Sequence, residues 1–362
     1  MAVPGAESGC RPIETEHAGW VMRRIRRQAA MDSCVCRRDL SVKQKILVTG
    51  GTGFVGGALL KRLVTRPDLQ VLAWIRRVDS ILPVGVVPVP VSLNRTFAAG
   101  TQIEGVDTVI HCAARVHVMT DKAADPLAEF RKVNVEGTLA LARSAVASGA
   151  RRFIFISSIK VNGESTAPGR PFTADDTPQP ADPYALSKLE AEIGLRALAD
   201  ETGLQVVIIR TPLVYGPGVK GNFLEMMRWL AAGIPLPLGA VDNQRSLVAL
   251  DNLVDLIVTC IDHPAAANEV LLAGDGEDLS TSDLLRRLAS ALGKPVRLLP
   301  VPVAVLDKVA GLLGKRAAYA RLCGSLQVDI GKTRRLLGWS PPVGVDEALR
   351  VTATDYQRRQ VP

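Results

Sequence analysis

A strand that breaks into a cluster of glycines and runs directly into a helical pattern constrains this 362-residue chain more than any other feature. The stretch is Ile46-Leu47-Val48-Thr49-Gly50-Gly51-Thr52-Gly53-Phe54-Val55-Gly56-Gly57. A backbone that turns sharply and then lets a pyrophosphate lie against it has no room for side chains at the contacts, and glycine meets that need. The helix after the turn would aim its free amides and the positive end of its dipole at the phosphates. Gly50, Gly53, Phe54, Val55 and Gly56 are the expected cofactor contacts.

Beyond Lys45, short apolar runs alternate with helical patterns. Ile46 to Val48, Gln70 to Ile75, a proline-broken run within Leu82 to Val91, Thr108 to His111, Phe153 to Ser157 and Val206 to Ile209 read as strands. Val55 to Val64, Ala128 to Ser148 and Pro183 to Thr202 read as helices between them. Such an alternation predicts an α/β protein with a doubly wound parallel sheet covered on both faces. No apolar run reaches the roughly 18 to 20 residues of a membrane span without a proline or a charge.

Composition is that of a globular chain, 47% hydrophobic and 22% charged. The net charge of +8 suggests an acidic partner, yet much of it sits outside the strands and helices named above, in Arg23, Arg24, Arg26 and Arg27 and in Arg334, Arg335, Arg358 and Arg359. Aromatic residues make up only 4% and no basic stripe interleaves with them, so no nucleic-acid partner is expected; a nucleotide diphosphate is acidic too. The six cysteines are too scattered for a disulfide framework, and Cys34-x-Cys36 lacks the spacing and second ligand pair of a zinc site. A reducing, cytoplasmic location is expected, and no metal. Residues 1–43 mix Gly, Pro, Glu and Arg without period and are expected to be a disordered extension or sequence upstream of the true start.

The end of the second strand is where an acidic residue would hold the ribose of NAD, or an arginine the extra phosphate of NADP. Arg76-Arg77 stands there, which favours NADP while leaving NAD open. A second constellation is Pro183-Tyr184-Ala185-Leu186-Ser187-Lys188, on a helix that Asp182 would cap. Tyr184 and Lys188 share one face, one turn apart, and an ammonium beside a phenol would draw the tyrosine's pKa down so that it can exchange a proton. Ser158, just past the fifth strand, lies at the sheet edge where open α/β folds bind ligands.

With these residues in place the chain resembles the extended short-chain dehydrogenase/reductase family, in particular its nucleotide-sugar epimerases, dehydratases and reductases, over about residues 45 to 350. The resemblance rests on Thr49-Gly50-x-x-Gly53-x-x-Gly56, Val109-Ile110-His111-Cys112-Ala113-Ala114, Val133-Asn134-Val135-Glu136-Gly137-Thr138, Ser157-Ser158, Tyr184-x-x-x-Lys188, Tyr215-Gly216-Pro217-Gly218 and Asp329-x-x-Lys332-x-x-x-Leu336-Leu337-Gly338-Trp339-x-Pro341. It implies an NAD(P)-binding Rossmann domain over 44–235 and a smaller, mainly substrate-binding α/β domain over 236–362. Tyr184 would be the general acid/base, Lys188 would hold the nicotinamide ribose, and Ser158 would hydrogen-bond the reacting sugar oxygen. Asn134 would support the lysine or the cofactor, and Ala113 and Ala114 would be small because the cofactor passes over them. Asn222 and Arg245 would grip the substrate's diphosphate. Read from its own residues, the segment Val301 to Leu313 is apolar at helical spacing around Asp307 and Lys308; a substrate-domain helix packed on the core is expected, with a partner or membrane surface as the alternative.

The expected reaction is hydride transfer at carbon 4 of a UDP-hexose, as in a UDP-glucose or UDP-N-acetylglucosamine 4-epimerase serving surface-polysaccharide synthesis. An NADPH-dependent 4-ketoreductase of a 4-keto-6-deoxy sugar is the alternative, supported by Arg76 and by Leu213, which stands near the place where 4-epimerases carry Asn-Pro. A 3-hydroxysteroid-type dehydrogenase shares the same three residues, and a non-catalytic NAD(P)-binding regulator shares the fold. The family implies a homodimer built from the Ala128 and Pro183 helices.

Overall fold

A computed structural model describes residues 43–77, 79–90, 103–116 and 125–360. The extension expected over 1–43, with Cys10, Cys34 and Cys36, lies outside these residues apart from Lys43. The described chain opens with strand β1 (Gln44–Thr49), helix α1 (Phe54–Leu63), β2 (Leu69–Ile75), β3 (Val86–Pro90) and β4 (Thr108–His111). Next come α2 (Pro126–Arg131), one π-helical turn at Lys132–Glu136, α3 (Gly137–Ala147), β5 (Arg152–Ser158), α4 (Pro183–Thr202), β6 (Gln205–Thr211) and β7 (Leu213–Tyr215). The remainder holds α5 (Gly221–Ala231), β8 (Arg245–Ala249), α6 (Leu250–Asp262), β9 (Val270–Leu272), β10 (Asp278–Leu279), α7 (Thr281–Ala291), α8 (Val303–Leu312), α9 (Arg316–Cys323), α10 (Gly331–Leu337) and α11 (Val345–Gln360).

Seven strands form one parallel sheet in the order β3-β2-β1-β4-β5-β6-β9, which is the doubly wound arrangement expected. Its central strands are buried on both faces, as their unbroken Ile, Leu, Val and Phe runs require. The proline-broken run forms β3, where Pro88 and Pro90 are tolerated because β3 is an edge strand and its outer side needs no ladder donors. Helix α4 starts and stops on its sequence signals. The Asp182 carboxylate accepts from the Ala185 amide at 2.7 Å, Pro183 opens the first turn, and Gly203 closes it at φ 75°.

β9 was not legible in the sequence. Its three residues return the chain to the large sheet beside β6, and α6 packs with them into the larger core together with Leu337 and Trp339. Arg152 stabilises this return although only 1% exposed, because its guanidinium donates to the carbonyl oxygens of Cys260 and Ile261 in the last turn of α6 and of His263 just after it. β10, β8 and β7 form a second, three-stranded sheet over a separate core that includes Tyr215, Phe223, Leu247, Leu285 and Leu349. One expectation is corrected: α8 buries no residue, and only Val303 and Leu306 pack against that smaller core.

Candidate active site

β1 and β4 are neighbours, so the chain leaves their carboxyl ends toward opposite sides and opens a crevice there. The glycine turn fills this switch point. Gly50 has φ 70°, and a Cβ on it would stand 2.8 Å from the Ala113 amide nitrogen. A Cβ on Gly56 would collide with the Gly50 carbonyl oxygen, which also accepts from the Gly53 amide at 2.8 Å. Gly53 caps α1 with no side-chain bond, Thr52 and Gly53 are exposed, and Phe54 and Val55 begin the helix half-buried. This is a bare cradle of backbone donors at a helix N-terminus, and it fits a pyrophosphate.

At the end of β4 a buried polar chain fixes the strand to its surroundings. The Thr138 hydroxyl donates to the Asn134 carbonyl at 2.7 Å, so it accepts from His111 Nε2 at 3.0 Å. His111 Nδ1 must then accept, and the Thr49 hydroxyl supplies the proton at 2.6 Å while receiving the Ala113 amide at 3.4 Å. Burial, with the Lys188 charge in second place, pushes the imidazole down to about 3, so the ring is neutral. Ala113 and Ala114 follow, half-buried, beside the glycine turn.

Ser158 is the last residue of β5, and its Oγ accepts from the Lys160 amide at 3.3 Å. The ring of Tyr184 packs edge-on against Phe130 at 6.0 Å. Burial, helped by the Asp182 charge, raises the phenol to about 12, and a hydrogen bond with Ser158 opposes the rise. This corrects the expectation that Lys188 draws the tyrosine down. The ammonium is engaged elsewhere: Lys188 Nζ donates to the Ile156 carbonyl at 2.7 Å and lies 3.8 Å from the centre of the Phe155 ring. Burial lowers Lys188 to about 7, against the Glu192 charge, which holds it up.

Sequence reasoning passed over Glu192, one turn beyond Lys188 on the same face, and Arg210. Both are buried, and Arg210 grips Glu192 with Nε at 3.1 and 3.2 Å and with Nη2 at 2.6 Å. Ser157 donates to the same carboxylate at 2.5 Å, and Asn162 accepts from Arg210 at 3.0 Å. The available signal was an arginine closing the apolar run Val206-Val207-Ile208-Ile209, since a charge on a buried parallel strand demands a partner.

Asn134 sits buried in the π-helical turn, a distortion frequent at functional sites. Its side chain receives the Arg115 amide at 2.8 Å and donates to the Arg115 carbonyl and to Ser187 Oγ, both at 3.0 Å. It therefore fastens the loop after β4 to α4. Arg76 is exposed past the end of β2, and neighbouring Arg77 pairs with Asp79 at 3.0 Å. Asn222 is exposed in the first turn of α5, and Arg245 begins β8, donating to the Gly324 carbonyl at 2.8 Å. These two belong to the smaller sheet region. Among the described residues no cluster suited to a metal ion occurs, and no helix is long and apolar enough to cross a membrane. Cys112, Cys260 and Cys323 are free thiols.

Comparison with known proteins bears on this arrangement. The model of the NAD dependent epimerase/dehydratase family matches residues 46–274. The chain is 49% identical over 328 residues to a UDP-glucose 4-epimerase of Vibrio cholerae, covering 89% of this chain and 98% of the relative. Its fold resembles a UDP-glucuronic acid 4-epimerase from Bacillus cereus in complex with NAD, with a TM-score of 0.71 at 20% identity over 87% of this chain and 99% of the other. It also resembles a UDP-glucose 4-epimerase of Thermotoga maritima with UDP-glucose, with a TM-score of 0.69 at 22% identity over 88% of this chain and 100% of the other. With the family model covering more than half of its length, from the first strand through β9, the chain belongs to the NAD dependent epimerase/dehydratase family.

Proposed function

We propose that this enzyme of the NAD-dependent epimerase/dehydratase type interconverts the carbon-4 epimers of a UDP-hexose, UDP-glucose or UDP-N-acetylglucosamine, in the synthesis of surface-polysaccharide precursors. The observation that carries the reading is that Ser158 ends β5 close enough to the Tyr184 phenol to oppose the rise in its pKa, while Lys188, one turn beyond Tyr184, is anchored to the same strand. The relative that is 49% identical over nearly its whole length is named for the same reaction.

Gly50, Gly53, Phe54, Val55 and Gly56 would hold the pyrophosphate, with Ala113 and Ala114 leaving space beside it. When bound, the oxidised nicotinamide supplies a hydride acceptor and a positive charge that favours the phenolate. Tyr184 takes the proton of the 4-hydroxyl as the sugar is oxidised and returns it as the keto sugar is reduced. Held near 12 by burial, it is protonated at neutral pH, the state the reductive half needs. Ser158 hydrogen-bonds the same oxygen, and Lys188 holds the nicotinamide ribose. Asn222 and Arg245 bind the diphosphate, the guanidinium by charge-assisted bonds.

A second reading is an NADPH-dependent reductase of a UDP-linked 4-keto-6-deoxy-N-acetylhexosamine. It is favoured by the exposed Arg76 and by Leu213, which is 45% exposed at the start of β7. A non-catalytic regulator would have no use for Ser158, Tyr184 and Lys188 together. The proposed homodimer joins the helices around Val133 and Ile193, large apolar residues that are 45% and 58% exposed. Incubation with UDP-glucose or UDP-N-acetylglucosamine and no added cofactor, followed by separation of the sugar nucleotides, tests the reading. Galacto product supports the epimerase, whereas failure with both together with NADPH oxidation on a 4-keto sugar selects the reductase.

A further inference from the structure

A surface helix ordinarily turns its apolar stripe inward and its charges outward. Helix α8 is apolar on its outer face as well. Val305, Lys308, Val309 and Leu312 recur at three- and four-residue spacing and so share one face, and all four are exposed. Val305 and Val309 are 47% and 46% exposed, Leu312 88%, and the adjoining Leu313 64%. The opposite face, through Val303 and Leu306, is the one that packs against the smaller core.

Along the sequence that holds this stripe, basic residues far outnumber acidic ones. From Lys294 to Arg321 the chain carries Lys294, Arg297, Lys308, Lys315, Arg316 and Arg321 against the single acid Asp307. Asp307 is half-buried, while Lys308, Lys315 and Arg316 are exposed. The Arg316 side chain lies close to Gly311, within 3.3 Å of where a Cβ there would stand, so positive charge collects at the carboxyl end of the apolar stripe. Apolar side chains that reach outward, with long basic side chains beside them, suit an interface where hydrocarbon lies below and anionic headgroups lie level with the amines. A protein partner of ordinary surface composition would not need so one-sided a charge.

We infer that the exposed face of α8, with Leu313, Lys315 and Arg316, docks this protein reversibly on an anionic lipid bilayer. The contact is peripheral, since α8 is one short helix and no described helix can span. It also bears on the substrate region. α9 follows directly, and the Leu322 and Gly324 carbonyls at its end accept from Asn243, with Gly324 also accepting from Arg245. Docking through α8 therefore holds the substrate-binding part of the chain at the membrane surface.

Flotation of the full chain with vesicles tests this. Vesicles of phosphatidylcholine with phosphatidylglycerol should carry the protein, vesicles of phosphatidylcholine alone should carry far less, and raised salt should release it. Leu312→Glu with Leu313→Glu should abolish flotation, and Lys315→Glu or Arg316→Glu should each weaken partitioning by at least roughly fivefold, all with unchanged melting temperature. Failure of the wild-type chain to float with the anionic vesicles would overturn the inference, as would flotation indifferent to the paired leucine substitutions. A dimer that those substitutions dissociate, without vesicle binding by the wild type, would instead make this face a contact between copies and would equally overturn it.

Discussion

Lys188 donates to the carbonyl oxygen of Ile156 at 2.7 Å, two residues before Ser158 on the same strand. The strand that presents the serine thus also fixes the ammonium. Burial holds that ammonium down at about 7 against an ordinary 10.5. Between those values the unfolded chain binds more protons than the folded one, so this group's effect on stability improves as pH rises from about 7 to 10.5, and its full cost is present below 7. Lys188→Met is expected to stabilise the fold at pH 6 by about 1–3 kcal/mol, after allowing for the orphaned Ile156 carbonyl, and by much less at pH 9.5. Denaturant titrations of both proteins at the two pH values check this, and an equal difference at both would contradict it.

His111 should remain neutral with its proton on Nε2, because Thr49 and Thr138 leave no other consistent arrangement of donors. Its folded pKa near 3 lies below the ordinary 6.5, so stability from this group is full above 6.5 and is lost as pH falls toward 3. Nitrogen NMR of the labelled imidazole at pH 7 and pH 5 should show the same neutral tautomer. Titration near 6.5 would contradict the buried network.

The parallel sheet, the glycine turn, the Asp182 cap of α4 and the shared face of Tyr184 and Lys188 were legible because each follows from local pattern: period, glycine spacing, one helical turn. β9 was not, since three apolar residues far along the chain carry no signal of which sheet edge they join. The anchoring of Lys188 to Ile156 was hidden for a related reason. A backbone carbonyl competes for the ammonium, and only tertiary packing reveals it. Glu192 and Arg210, 18 residues apart in sequence, become one buried pair only after α4 folds back on β6.

Glu192→Gln should therefore cost about 3–5 kcal/mol, because it leaves the Arg210 guanidinium buried without a counter-charge. Urea unfolding measures the loss. Replacing Glu192 and Arg210 together by apolar residues of similar volume should recover part of it, and a single substitution without effect would contradict the pairing.

Arg76, exposed past the end of β2, should select between dinucleotides. Arg76→Ala is expected to weaken NADP binding by roughly tenfold and to leave NAD binding within about twofold, since the 2′-phosphate is the only group the arginine would meet. Calorimetric titration with both nucleotides gives the ratio, and equal losses for the two would remove Arg76 from the site.

Turnover of Tyr184→Phe, measured beside cofactor binding, tests the proposed chemistry most directly. The variant keeps the ring packed on Phe130 and deletes only the hydroxyl. Turnover of the sugar nucleotide should fall by roughly a hundredfold to ten-thousandfold while dinucleotide affinity stays near wild type. Turnover within a few-fold of wild type would contradict the assignment of Tyr184 as the proton-transferring group.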